Sequence, residues 1–252
     1  MDGMALGLIL STLAGLATVV GAALGMLTRQ AGPRVLSLAL GFSGGVMLHV
    51  SYVELLGSAM ASVGFVPAHI AFFVGMGAMF AVDALIPHDY FAEHATRGGA
   101  SAQQLAKTGL FVALGIGIHN FPEGMLTLAG TLQDPKLGFA IAAAVAIHNI
   151  PEGLAVAAPI LAATGSRRRA FAWASLSGMA EPIGAGIAAA VLLPFLSTAL
   201  LGYVLAAVAG IMVFIALDEL VPVSRELDRG HWAILGVIAG LVVMAGSLAL
   251  LA

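Results

Sequence analysis

Eight long apolar runs, each of about 20 residues, divide this 252-residue chain from end to end. A run of that length crosses the hydrocarbon core of a bilayer as an α-helix. Only 9% of the residues are charged and 60% are hydrophobic, whereas soluble domains carry about 25% charged residues. We therefore predict an all-α integral membrane protein, with a single transmembrane domain over 1–252. The predicted helices are 4–27, 35–56, 68–86, 108–131, 137–162, 170–195, 199–221 and 232–251.

Glycines recur at four-residue spacing inside several runs. Small residues at that spacing lie on one face of a helix and let neighbouring helices approach closely. The alternative, that glycine is simply frequent in membrane helices, explains any single pair equally well. The pairs that we expect at helix contacts are Gly21/Gly25, Gly41/Gly45 and Gly236/Gly240.

Basic residues lie only in the loops between the runs. Lys136 is alone in an even-numbered loop, and the other nine lie in odd-numbered loops. The positive-inside rule then predicts cytoplasmic odd loops and both termini outside. An arginine run also suits nucleic acid or anionic lipid, but between two spans it is most simply a topology signal, and we expect no nucleic-acid partner. The nine residues are Arg29, Arg34, Arg97, Lys107, Arg167, Arg168, Arg169, Arg225 and Arg229.

Acidic residues show the opposite distribution, because seven of the 13 lie within the runs or at their ends. No run contains a basic residue to pair with them, and charge in hydrocarbon needs a partner. That partner must be a proton or a cation from outside the chain. A protonated, hydrogen-bonded glutamic acid explains Glu54 equally well, but it explains three central glutamates beside two histidines poorly. The seven acids are Glu54, Asp83, Glu123, Glu152, Glu181, Asp218 and Glu219.

One motif occurs twice, as HNFPEG at His119–Gly124 and as HNIPEG at His148–Gly153, near the centres of consecutive runs. Residues i and i+4 share a helix face, so each copy offers a histidine and a glutamate to one ion. Asn120 and Asn149 widen the ligand arc. Consecutive spans are antiparallel, so the copies must meet at one depth about a pseudo-two-fold axis. A midplane site between repeated, interrupted helices is typical of transporters.

The motif also contains a proline and a glycine with structural consequences. Pro122 and Pro151 cannot donate a backbone hydrogen bond, which predicts a kink and a freed carbonyl in each helix. Freed carbonyls are tolerated at membrane depth where they line a cavity. Gly124 and Gly153 are expected to let a neighbouring backbone approach.

Two further side chains are expected at the same depth. Glu181 is central in the sixth run, and Met47 is central in the second, where packing alone is the simpler explanation of a methionine. The chain has no cysteine, so imidazoles, carboxylates and amides favour Zn²⁺, Fe²⁺, Mn²⁺ or Co²⁺ over Ca²⁺ and Mg²⁺. The candidate metal ligands are His119, Asn120, Glu123, His148, Asn149, Glu152, Glu181 and Met47.

The remaining acids and histidines indicate a route across the membrane. With the predicted topology, Glu54 lies near the outer face. We expect His69 there too, as a surface or interface histidine rather than a ligand. The predicted transport path comprises Glu54 on the outer side and Asp83, His88, Asp218 and Glu219 on the cytoplasmic side.

The paired HNxPEG motifs in the fourth and fifth of eight helices resemble the ZIP family of divalent metal transporters. In length the chain is similar to the small bacterial zinc-uptake members. Four shorter patterns also match in position: GFxxGVML before Glu54, DxxxPH at Asp83 to His88, SGxAE ending at Glu181, and DEL at 218–220.

The resemblance implies a three-two-three helix arrangement with inverted repeats, a metal between the fourth and fifth helices, and the candidate ligands given above. It also implies homodimers in a bacterial inner membrane and uptake of Zn²⁺, with Fe²⁺, Mn²⁺, Co²⁺ and Cd²⁺ as further cargo, without a resident cofactor. The chain departs from some relatives in having the neutral Asn149 in place of an acid. It also has only His88 and His94 in the loop between the third and fourth helices.

The leading hypothesis is a secondary or facilitated transporter that moves a divalent metal inward by alternating access. The first alternative is an intramembrane metalloenzyme. Zincin proteases use HExxH, however, and here Asn120 and Asn149 follow the histidines. The second alternative is a transporter linked to protons or sodium, since protons compete for the same ligands.

Overall fold

The computed structural model describes residues 3–27, 32–84, 117, 120–192, 195, 197–228 and 230–251. Every regular element in those ranges is helical, which confirms the predicted all-α class. Seven of the described helices are long and apolar enough to cross a membrane. The helices are α1 (Gly3–Leu27), α2 (Pro33–Val63), α3 (Phe65–Asp83), α4 (120–133), α5 (Pro135–Thr164), α6 (Arg167–Gly178 and Ala180–Leu192), α7 (Thr198–Leu227) and α8 (Trp232–Leu251).

Two predicted helix ends are wrong, because α2 and α7 continue past residues 56 and 221. Hydropathy falls at the acids near those positions, but backbone hydrogen bonding continues through them. Each helix contains a π segment there, Val50–Leu55 in α2 and Ala216–Leu220 in α7. Such π segments are rare and are frequently found at functional sites.

The sixth predicted helix is interrupted. Its two parts meet at Met179, because Pro182 has no N–H to donate to the carbonyl of Gly178. The first part begins at Arg167, where the Ser166 hydroxyl accepts a hydrogen bond from the backbone N–H of Arg169 at 3.3 Å. The single predicted run over 170–195 therefore folds as two helical pieces.

Glycine lets two helix pairs, α2 with α8 and α1 with α5, approach to backbone contact, as predicted. Methyl groups at Gly41 and Gly45 of α2 would overlap carbonyl oxygens of α8, and Gly236 and Gly240 face α2 in the same way. Gly21 meets α5 at the carbonyl of Ile150. Outside the predicted pairs, glycines also let α3 approach α7 closely. Close packing of small residues replaces the hydrophobic driving force that is missing in lipid.

The helices pack as two groups. The first group contains α1, α4, α5 and α6, and the second contains α2, α3, α7 and α8. Within the second group α2 packs on α8 and α3 packs on α7. The main contact between the groups is that of α2 with α5, so α2 is the helix of the second group that reaches the centre of the first.

An inverted repeat relates α2 to α7. Gly45–Leu55 and Gly210–Leu220 align without a gap, and both end in a π segment that carries an acid, Glu54 or Glu219. The two helices run in opposite directions, since Arg34 near the start of α2 pairs with Asp228 after the end of α7 at 3.3 Å. The predicted inverted repeat is thus visible in both sequence and structure.

The described basic residues of the odd and even loops lie at opposite ends of the molecule. Arg34 lies beside the end of α7, and Arg167 and Arg168 lie beside Met26 near the end of α1. Lys136, at the start of α5, lies at the opposite end of the molecule. The described odd loops therefore share one end, as the predicted topology requires.

Polarity in the bundle is reversed relative to a soluble protein. Large apolar side chains point outward, including Leu13, Phe73 and Val242, which are 57%, 61% and 65% exposed. The most polar side chains of the central motifs are instead buried. This pattern suits a lipid exterior around a polar interior.

Candidate metal site

Of the predicted site residues, two pairs are in contact inside the first helix group. Those that the structure describes have no exposed surface, whereas His119, like His88 and His94, lies outside the described residues. The fully buried side chains are Asn120, Glu123, His148, Asn149, Glu152 and Glu181, and Met47 of α2.

The two motif copies face each other, as predicted. His148 Nε2 in α5 lies 3.0 Å from Glu123 Oε1 in α4. His148 Nδ1 lies 2.9 Å from the carbonyl oxygen of Ala144, and donation to that carbonyl directs Nε2 at the glutamate. Two acceptors do not bond each other, so a proton or a cation must mediate the contact. Such an outer hydrogen bond is the usual support of a metal-binding imidazole.

Both motif asparagines anchor their amide groups to a neighbouring helix. Asn120 Nδ2 donates to the carbonyl of Ser177 in α6 at 3.2 Å. Asn149 Nδ2 donates to the carbonyl of Ala14 in α1 at 3.0 Å, and to Glu181 Oε1. These bonds orient both amide nitrogens toward their partners, so the amide oxygens remain as potential ligands.

Four buried oxygens of the site have no hydrogen-bond partner among the described residues. An unsatisfied buried acceptor costs about 1–3 kcal/mol, so a cluster of them indicates a ligand that the protein itself does not supply. The carboxylate of Glu181 is also within electrostatic range of Glu123 and Glu152, and a cation would relieve the repulsion. The four oxygens are Asn120 Oδ1, Glu123 Oε2, Asn149 Oδ1 and Glu181 Oε2.

The carboxylates of the site do not converge on one point in this structure. In the part of the chain that the structure describes, no group of three or more His, Asp or Glu side chains has the geometry to hold a metal ion. Hydrogen bonds hold two of the acids toward other helices: Glu181 accepts from Asn149, and Glu152 Oε1 accepts from the Ser43 hydroxyl at 2.8 Å. The full ligand set therefore stays a prediction.

Helix α2 borders this site through a face that the sequence indicated only in part. Met47 was predicted there and is fully buried. Ser43, one turn earlier on the same face, reaches Glu152 but was not predicted. Its spacing of four residues from Met47 is the signal that could have found it.

The motif glycines let a neighbouring backbone approach closely, as predicted. A methyl group at Gly124 would overlap the carbonyl oxygen of Glu181, and one at Gly153 would overlap that of Thr18. The expectation of an interrupted helix is wrong for α5, which continues through Pro151 to Thr164. Tight packing against α1 and α6 holds both motif helices in place.

The predicted path residues that the structure describes lie away from the motif pair, on the second helix group. Glu54 is half-buried about two turns beyond Met47 in α2. Asp83 is half-buried at the end of α3, and in the π segment of α7 Asp218 is exposed and Glu219 half-buried. The inverted repeat pairs Glu54 with Glu219, so the two π segments place equivalent carboxylates toward opposite ends.

Comparison with known proteins agrees with this arrangement. The family described as ZIP Zinc transporter matches residues 87–251. Zinc transporter ZupT of Corynebacterium aurimucosum is 46% identical over 249 residues, which cover 94% of each chain. The proteins of the same name from Oceanobacillus iheyensis and Chlorobium phaeovibrioides are 46% and 48% identical, with complete coverage of both chains. The chain therefore belongs to the ZIP zinc transporter family, a family of membrane transporters rather than enzymes.

Proposed function

We propose that this protein carries divalent transition-metal ions, zinc foremost, into the cytoplasm through the buried site between α4 and α5. The observation that supports this best is the cluster of four buried acceptor oxygens without partners beside the His148–Glu123 contact. Acceptors that lack donors suit a cation, and burial away from both membrane faces suits alternating access.

The ligands in this proposal come from both motif copies and their neighbours. Imidazole nitrogen with carboxylate and amide oxygen, and no thiolate, suits borderline divalent ions. Fe²⁺, Mn²⁺, Co²⁺ and Cd²⁺ are therefore proposed as further cargo beside Zn²⁺. The proposed ligands are His119, Asn120, Glu123, His148, Asn149, Glu152 and Glu181, with Met47 as a thioether ligand.

The proposed direction follows from the basic end of the molecule. If that end is cytoplasmic, both termini are outside and Glu54 lies on the outer half of the path. Asp83, His88, Asp218 and Glu219 then line the inner half. A bacterial inner membrane, homodimers and surrounding lipid belong to the same proposal.

The two alternatives fit less well. An intramembrane protease of the zincin type needs a general-base glutamate directly after its histidine, and Asn120 and Asn149 occupy those positions. A carrier of protons or sodium would not need an imidazole held by the Ala144 carbonyl. Membership of a zinc transporter family also favours metal transport.

Uptake by proteoliposomes tests the proposal. Wild type is compared with the Glu123→Ala/Glu152→Ala double variant, and with Glu226→Ala as a matched control because Glu226 is an exposed acid at the end of α7. Zn²⁺, Fe²⁺, Mn²⁺, Co²⁺ and Mg²⁺ are supplied in parallel. We expect saturable transition-metal uptake in wild type and control, lost in the double variant. Intact flux in the double variant would show that the pathway lies elsewhere.

A further inference from the structure

One carboxylate of the proposed site is held by a side chain from the other helix group. The Ser43 hydroxyl in α2 donates to Glu152 Oε1 in α5 at 2.8 Å, and both side chains are fully buried. Because α2 provides the main contact between the groups, this bond joins the site to the second group at the depth of the motifs.

The bond is not needed to satisfy the serine. A hydroxyl in a helix has the carbonyl four residues earlier within reach, which for Ser43 is that of Ala39. Ser43 instead donates across the helix interface to a carboxylate. Local bonds of the common kind are made by Thr12 to Leu8, Ser62 to Ser58, Thr131 to Thr127 and Thr164 to Ile160, at 2.7, 3.0, 2.6 and 2.7 Å.

The bond also separates Glu152 from the other two glutamates. Glu123 and Glu181 each have an oxygen without a partner in the described part of the chain, and their hydrogen bonds there come from the first helix group. Glu152 also accepts a hydrogen bond from outside that group, at 2.8 Å. A buried bond of this length fixes the orientation of the carboxylate.

We infer that Ser43 is a positioning residue of the transport site, whose hydroxyl aims the Glu152 carboxylate at the metal. The inference rests on the function proposed above. Ser43 itself touches no metal and acts through Glu152. Loss of an outer partner of a metal ligand typically costs about 10–100-fold in metal affinity, and the effect should appear in KM rather than in the maximal rate.

The test measures the zinc Kd of purified full-length protein and the KM and maximal rate of uptake in proteoliposomes. Ser43→Ala should raise Kd and KM about 10–100-fold. The matched control is Ser224→Ala, which removes an equally buried hydroxyl bonded to the Ser37 carbonyl at 2.6 Å within the second group. This control should keep the wild-type Kd.

A double-variant cycle separates positioning from a general packing defect. In Glu152→Asp the carboxylate is one methylene shorter and beyond reach of Ser43, so adding Ser43→Ala should change Kd by less than about twofold. A Ser43→Ala Kd within about twofold of wild type, or an undiminished effect in the Glu152→Asp background, would overturn the inference. Wild type without saturable zinc uptake would instead refute the proposed function.

Discussion

The two copies of the HNxPEG motif, in α4 and α5, meet their neighbouring helices through the same backbone contacts. Asn120 donates to the carbonyl of Ser177, and Asn149 donates to the carbonyl of Ala14. In both copies the asparagine thus ties a motif helix to its neighbour, α6 or α1. The internal repeat therefore reproduces the framework of the site as well as its sequence.

The side chains that complete the two copies differ. Gly124 packs on the backbone of Glu181 and Gly153 on that of Thr18, so these two residues occupy equivalent positions. Glu181 brings a carboxylate that accepts from Asn149, whereas Thr18 brings a buried hydroxyl with no partner among the residues that the structure describes. The backbone contacts of the two copies are therefore equivalent, but only α6 adds a carboxylate to the site. The equivalent position of α1 adds an uncharged hydroxyl.

The largest effect is expected from the motif glutamates, which both copies share. Glu123→Ala and Glu152→Ala, made singly, should each lower zinc uptake by more than about 100-fold, beyond the loss of an outer partner, because each removes a charged ligand of one shared site. Initial uptake rates in proteoliposomes measure this. If either variant keeps near-wild-type uptake, only one copy binds the metal.

The next largest effect is expected from the two equivalent positions, Glu181 and Thr18, which differ in charge. Glu181→Thr should weaken zinc binding by at least about tenfold, because it removes a carboxylate from the cluster. Thr18→Ala should change the affinity by less than about twofold, because its hydroxyl carries no charge and has no hydrogen-bond partner among the described residues. Isothermal titration with zinc compares them. Equal losses at the two positions would mean that the charge asymmetry has no role in binding.

Substitution of the motif glycines tests whether α4 and α5 pack equally closely against their neighbouring helices. Gly124→Ala and Gly153→Ala should each lower the free energy of unfolding by about 1–3 kcal/mol, because the added methyl overlaps a backbone carbonyl. Gly186→Ala in α6 is the matched control, since nothing lies within 4 Å of its added methyl. Thermal unfolding in detergent gives the comparison. An unaffected Gly153→Ala would show that α5 packs more loosely on α1 than described.

The smallest effect concerns the motif asparagines. Asn149→Ala should destabilise the zinc-free protein by about 1 kcal/mol more than Asn120→Ala, because Asn149 donates one more hydrogen bond. Thermal unfolding without zinc measures the difference. The reverse order would indicate that the Asn149–Glu181 contact does not stabilise this conformation.

Local patterns predicted much of the fold. Run length predicted the helices, four-residue spacing predicted the glycine contacts, and the repeated motif predicted that Glu123 and His148 lie together. The ends of α2 and α7 were predicted wrongly, because hydropathy falls at Glu54 and Glu219 whereas helical hydrogen bonding continues through π segments. The break at Met179 depends on Pro182, whose effect hydropathy does not register.

The contribution of α1 to the site could not be predicted, and that of α2 was predicted only for Met47. Ala14 acts through its backbone carbonyl, which any residue would offer, so its identity carries no signal. Ser43 reaches Glu152 only because α2 of one group packs on α5 of the other. Both depend on contacts distant in sequence. The predicted roles of His119 and His88 concern residues outside the described ranges and stay predictions.

The central claim is that both motif copies contribute ligands to one shared metal site. Anomalous diffraction at the zinc edge from zinc-loaded crystals tests this claim most directly. We expect an anomalous peak between α4 and α5, with Glu123, His148 and Glu152 at about 2.0–2.2 Å from the ion. A peak only beside Asp218 and Glu219, with none between the motif helices, would contradict the account.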